Sequence, residues 1–218
     1  MIKAVIFDLD GVLVDTEPLW YETYAKVCKE FGFEYSEELH KLTPGHADTV
    51  KLMTVKLGIP EKYPEFLERV RAVYKDLFQK IAKPVPGVVD LLKNLKGKYK
   101  LAIATSAYKP RLDYNLEKIS QLKAFFDVTT HGEEVEKSKP APDIFLITAK
   151  KLGVKPEECL VVEDSESGIL AAKASGMKAV GFKPDHVFPQ DLSKADLVVD
   201  DLSKISLQFF NNYPLLPT

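Results

Sequence analysis

Residues 4–17 read AVIFDLDGVLVDTE, an apolar run that stops at Asp8, passes one leucine and meets Asp10 just before Gly11. The run Ala4–Phe7 has no polar alternation, which is the pattern of a strand covered on both faces, as strands in parallel sheets are. Gly11 permits a close backbone turn directly after the two acids. The same grammar recurs along the chain. Apolar runs at 101–104, 160–162, 179–182 and 197–199 are each bounded by polar or turn-forming residues. Between them the apolar spacing becomes helical: Val88, Leu91, Leu92 and Leu95; Leu112, Leu116 and Ile119; Phe145, Thr148, Ala149 and Leu152; then Ile169 to the stop at Gly176. Strands alternating with helices predict an α/β fold, a Rossmann-like parallel sheet sandwiched by helices.

The alternation fails between the first run and the second. Trp20, Tyr24, Val27 and Phe31 keep helical spacing, as do Tyr63, Phe66, Val70, Val73, Leu77 and Ile81, and no convincing strand intervenes. About 70 such residues are too many for an ordinary crossover. Residues 16–84 are therefore expected to form an inserted helical cap, with residues 1–15 and 85–218 forming the α/β core. The joints fall near Asp15–Thr16 and within KPVPG at residues 83–87.

The whole chain has 218 residues, of which 45% are hydrophobic and 28% charged, an ordinary globular composition. Its net charge of −2 offers no positive field for a phosphate backbone, so nucleic acid is excluded as the main partner. Of thirty basic residues only Arg69, Arg71 and Arg111 are arginine. Cys28 and Cys159 lie far apart and are expected as reduced, buried thiols. No run reaches the roughly 18 apolar residues of a membrane span, and nothing near the N-terminus reads as a targeting signal. A cytoplasmic monomer without membrane contact is the expectation.

Ligands of open parallel sheets bind beyond the carboxyl ends of the strands, which directs attention to the residue after each run. Those residues are Asp8 and Asp10, then Thr105 and Ser106, then Glu163 and Asp164, with Lys139 following the short run Val128–Thr130. Several carboxylates gathered at one edge repel each other unless a cation or a proton intervenes. Mg²⁺, a hard cation that takes one or two carboxylates and a substrate phosphate oxygen, suits such a set. The expected partner is a small-molecule phosphate ester.

Four segments in order, DLDGVLVDTE at 8–17, ATS at 104–106, KSKPAPDIF at 137–145 and VVEDSESG at 161–168, resemble the motifs of the haloacid dehalogenase superfamily. The likeness covers nearly the whole core and is nearest to the β-phosphoglucomutase-like and sugar-phosphate phosphatase branch. It implies that Asp8 is the nucleophile, forming an aspartyl phosphate, and that Asp10 is the general acid and base. It further implies that Thr105 and Ser106 hold phosphoryl oxygens and that Lys139 neutralises their charge. Asp8, Asp10 and Asp164 would hold Mg²⁺, and Glu163 would either join them through water or orient Lys139.

The cap departs from the mutase pattern. Leu19 or Trp20 stands where the mutases carry a histidine, Asp48 stands near the position of their cap arginine, and Ala107 and Tyr108 replace a more polar pair. Each change removes a grip on a bisphosphate. The reading is a phosphatase whose cap reads the leaving group through Trp20, Gly45 and His46. A phosphomutase is the alternative within the family, and a non-catalytic phosphate-binding protein the alternative outside it. A dehalogenase is disfavoured, because a halide leaving group needs no acid at Asp10.

Overall fold

The computed structural model describes residues 1–40, 49–183 and 190–206. Its strands are β1 (Ala4–Phe7), β2 (Lys100–Ala104), β3 (Val128–Thr130), β4 (Cys159–Glu163), β5 (Lys178–Phe182) and β6 (Leu197–Val199). They form one parallel sheet in the order β3-β2-β1-β4-β5-β6. The helices are α1 (Glu17–Glu30), α2 (Glu37–His40), α3 (Thr49–Lys56), α4 (Tyr63–Ile81) and α5 (Val88–Leu95). After β2 come α6 (Lys109–Lys118), α7 (Ser120–Lys123), α8 (Asp143–Leu152) and α9 (Glu166–Ala174). This is the expected parallel α/β sandwich. None of the described helices is long and apolar enough to cross a membrane.

Successive side chains of a strand point to opposite faces, and here they sort into two cores. Val5 and Phe7 join Val88, Leu91 and Leu92 of α5 and Leu112 and Leu116 of α6. Ala4 and Ile6 join Phe145 and Ala149 of α8 and Ile169 and Ala172 of α9. The chain winds from β1 outward to β3, then returns to place β4 on the other side of β1. The crevice between β1 and β4 is thus where the winding reverses, the usual ligand position in such sheets.

Between β1 and β2 the described residues contain helices α1 to α5 and no strand. Pro18 and Pro64 lie in the first turns of α1 and α4, where a missing N–H is harmless. Val27, Cys28, Met53, Phe66 and Val70 form a separate core. Both cysteines are buried and free. Tyr74, Leu77 and Phe78, further along α4, and Leu19 of α1 instead join the core on the α5–α6 face of the sheet. The two chain passages linking helices to sheet are tied together. The N–H of Asp15 donates to the Lys83 carbonyl at 3.1 Å, and the N–H of Val85 donates to the Leu13 carbonyl at 3.1 Å.

Candidate active site

The β1 ladder carries on one residue past the strand and so fixes the first acid: the Asp8 N–H donates to the Val162 carbonyl of β4 at 3.0 Å. The backbone then turns at once. Leu13 and Val14 both donate to the Leu9 carbonyl at 3.0 Å, and Gly11 donates to Val14 at 2.8 Å. Gly11 has φ +75, and a Cβ there would fall 1.9 Å from Asp164 Oδ2. Any other residue would be strained and would collide with that carboxylate, so glycine lets Asp164 close against the acid loop.

Lys139 ties three strands together. Its Nζ donates to Asp8 Oδ1 at 2.6 Å, to Glu163 Oε1 at 2.6 Å and to the Ala104 carbonyl at 3.4 Å. The side chains of Lys139, Asp8 and Glu163 are only 5%, 9% and 1% exposed. Burial pushes the Asp8 carboxyl up to about 7; Lys139 works against the rise, while Glu163 and Asp10 add to it. Burial also acts against the Lys139 ammonium, but the two carboxylates outweigh it and hold its pKa above the ordinary lysine value.

Glu163 has its second oxygen occupied as well. Oε2 accepts the Ser165 N–H at 2.9 Å and the Ser165 hydroxyl at 2.8 Å, and that hydroxyl caps α9 by accepting from the Gly168 N–H at 3.1 Å. A Cβ at Gly168 would lie 1.9 Å from Glu163 Oε1, so a bare backbone is needed there. Of the two roles expected for Glu163, orienting Lys139 is the one these contacts serve. Both oxygens serve protein donors, and one of those donors is Lys139.

Thr105 follows β2 and is 1% exposed. Its Oγ1 accepts the Ala107 N–H at 3.1 Å, which leaves the hydroxyl proton to donate elsewhere. Ser106 is exposed. Gly45, His46 and Asp48 lie outside the described residues.

One residue at this edge was not anticipated. Arg111 of α6 donates from Nη2 to Asp10 Oδ2, with the two side chains 15% and 21% exposed. Its guanidinium lies over the Trp20 ring at 5.1 Å and the Tyr74 ring at 5.6 Å, and those rings stack at 4.3 Å. Tyr24 stacks on Trp20 at 5.5 Å. Trp20 is half-buried, and Tyr74 is buried and accepts from Asn115 Nδ2 at 3.3 Å. Burial opposes the Arg111 charge, and the Asp10 carboxylate restores it above the ordinary value. The signal in the sequence was faint: Arg111 is one of three arginines among many lysines, seven positions after Ala104.

A divalent cation fits this set. Four carboxylates, Asp8, Asp10, Glu163 and Asp164, stand against two cations, an excess of two negative charges. Asp10 Oδ1 is buried without a partner, and the Asp8 carboxyl is already driven toward protonation. Among the described residues no three His, Cys, Asp or Glu side chains converge as a ready-made cage. Mg²⁺ tolerates that, since it keeps several waters and needs few protein ligands.

Residues 5–182 match the family model of haloacid dehalogenase-like hydrolases. The chain is 38% identical to a phosphorylated carbohydrates phosphatase of Thermotoga maritima, over 82% of this chain and 84% of that one. It is 32% identical to a β-phosphoglucomutase of Bacillus subtilis, over 96% and 94% of the two chains. The crystal structure of a HAD hydrolase, family IA, variant 3, from Entamoeba histolytica superposes with a TM-score of 0.83 at 27% identity, covering 95% of this chain and 96% of that one. Paired aspartates at the switch point of a 3-2-1-4-5-6 sheet, joined by a buried lysine to the end of β4, agree with that match over most of the chain's length. This chain belongs to the haloacid dehalogenase-like hydrolases, in their β-phosphoglucomutase-like and sugar-phosphate phosphatase branch.

Proposed function

We propose that this protein is a Mg²⁺-dependent phosphatase that hydrolyses small phosphate monoesters, sugar phosphates among them, through an aspartyl phosphate on Asp8. The observation that carries the reading is the buried Lys139 bridge, which fixes Asp8 by one oxygen and leaves the other for attack. Relatives that are phosphatases of phosphorylated carbohydrates and of fructose 1-phosphate support it.

In this reading Asp8 Oδ2 forms a bond to phosphorus while the ester P–O bond breaks, and Asp10 gives a proton to the departing alcohol oxygen. Water then attacks phosphorus and passes its proton back to Asp10, the P–O bond to Asp8 breaks, and inorganic phosphate leaves. A carboxylate nucleophile needs no base to activate it, and two displacements replace one difficult hydrolysis. Lys139 meets the charge that grows on the phosphoryl oxygens, and Glu163 keeps Lys139 in place. The Thr105 hydroxyl and the backbone after it, at Ser106, donate to the same oxygens. Asp8, Asp10 and Asp164 would hold Mg²⁺, which when bound offsets the excess negative charge and polarises the phosphoryl group.

Residues 16–84 act as the cap over the core formed by 1–15 and 85–218, excluding water and presenting Trp20 toward the leaving group. Gly45 and His46 are assigned to the same surface from the sequence alone. The test is phosphate release from p-nitrophenyl phosphate and a panel of sugar phosphates. Activity is expected with Mg²⁺, lost in EDTA and restored by Mg²⁺; full activity after exhaustive chelation would reject the reading. Phosphomutase chemistry is the second reading, favoured by the β-phosphoglucomutase relative. It would win if β-glucose 1-phosphate with a trace of bisphosphate gave glucose 6-phosphate faster than free phosphate.

A further inference from the structure

The other end of the sheet carries a second concentration of charge. Strand β1 takes the chain about 16 Å from Lys3 to the acid loop. Around the amino ends of β1, β2 and β3, on the edge away from the acids, lies a cleft of about 870 Å³, a volume in the range of small-molecule sites. Five lysines line it, Lys3, Lys96, Lys98, Lys100 and Lys151, against one acid, Asp127. Lysines on a surface are ordinarily loose, and ordering them around a ligand costs rotamer freedom. Three of these are already held. Lys96 Nζ donates to the Phe125 carbonyl at 2.7 Å, Lys100 Nζ to the Leu152 carbonyl at 2.5 Å and Lys151 Nζ to the Thr129 carbonyl at 2.8 Å. A carbonyl fixes an ammonium without cancelling its charge, and an ammonium has three N–H groups to give.

The acids nearby do not balance the lysines. Asp127 is spent on Lys96 at 3.2 Å and on the Leu101 N–H at 2.8 Å. Glu134 takes Lys151 and Glu158 takes Lys3. Lys98 and Lys100 are left without an acid partner among the described residues. Two uncompensated ammonium groups in one cleft match a counter-charge of at least two. We propose that this cleft binds a small polyanion, a phosphorylated or polycarboxylate molecule, held by Lys98 and Lys100 with Lys96 and Lys151 adding hydrogen bonds. Lysines are point charges rather than planar forks, so they select the ligand's charge and leave its shape to the cleft. A nucleic-acid strand is the poorer fit, since a net charge of −2 provides no extended positive field. The site lies at the edge opposite the acids and is independent of the hydrolase reading.

The test is a titration of the whole chain with pyrophosphate and, separately, with citrate, followed by backbone amide NMR without added Mg²⁺, so that each edge of the sheet reports on itself. Saturable shifts are expected at Lys3, Gly97, Lys98 and Lys100, half complete at about 1 mM or below, and the tighter of the two probes names the ligand's charged group. Lys98→Glu, a reversal at an exposed position that bonds to nothing, should weaken binding there by about 10- to 100-fold. Lys100→Gln, which keeps an N–H for the Leu152 carbonyl, should weaken it as well. In both variants the amides of Gly11 and Ser106 should keep their wild-type positions, which shows that the fold is intact. Shifts confined to Gly11 and Ser106 would overturn the proposal, since the anion would then be using the acid edge alone. So would shifts that sodium chloride reproduces at equal ionic strength, the mark of diffuse screening. Affinity unchanged in both variants would overturn it too.

Discussion

Lys139 and Arg111 are both buried cations bound to carboxylates of the same loop, yet their surroundings differ in kind. Lys139 touches Asp8, Glu163 and a backbone carbonyl, and Glu163 is in turn pinned by Ser165. Arg111 touches one carboxylate, rests on two aromatic rings and keeps a buried N–H without an acceptor. The saturated cluster holds Asp8 and Glu163 in fixed positions. Polar satisfaction is therefore uneven across one site, complete around Lys139 and incomplete at Asp10 Oδ1 and Arg111 Nε.

The largest effect should come from breaking the saturated side at its nucleophile. Asp8→Asn is expected to lower turnover by three or more orders of magnitude, as loss of a covalent nucleophile does elsewhere. It should also stabilise the metal-free protein above neutral pH. The Asp8 carboxyl titrates near 7 in the fold against 3.8 ordinarily, so its contribution is fully present below pH 3.8 and is lost as pH rises through 7. In EDTA the wild-type Tm should therefore fall between those limits relative to Asp8→Asn. Parallel Tm curves for the two proteins would contradict that account of Asp8.

Lys139→Met removes the cation and leaves two buried carboxylates facing each other. Breaking a buried pair costs about 3–5 kcal/mol, and a chain of this size loses about 2–4 °C in Tm per kcal/mol. A Tm drop near 10 °C at pH 8, smaller at pH 5 where Asp8 can take a proton, is the expected outcome in thermal melts. No change in Tm would mean that Lys139 does not neutralise this cluster.

Glu163→Gln is the finest probe. If Glu163 acts by holding Lys139, kcat should fall by about 10- to 100-fold, with little change in the Mg²⁺ concentration needed for half activity. A large rise in that concentration, with kcat recovered at saturating Mg²⁺, would instead return Glu163 to the metal.

What the sequence made legible is what lies directly along a strand. Five apolar runs bounded by polar or turn-forming residues led to the sheet and to Asp8, Thr105 and Glu163, because strand ends and site coincide in this architecture. The choice between two roles for Glu163 was open because it depends on Ser165 and Gly168, whose hydroxyl and missing Cβ matter only once α9 turns back on β4. Arg111 was passed over because it sits on a helix, where an arginine is usually solvated; its burial needs α1 and α4 to close over it. Trp20 was read as a leaving-group contact, and its ring lies 5.1 Å from the Arg111 guanidinium.

The paired passages at Leu13–Val85 and Asp15–Lys83 mean that the helical insertion leaves and re-enters the core at one spot. A segment whose ends meet imposes little loop-closure demand on its host, whatever its length. The sheet and its acid loop could therefore carry a different insertion at that doorway without a change in strand order. Descendants of one catalytic core could acquire new substrates by exchanging a module.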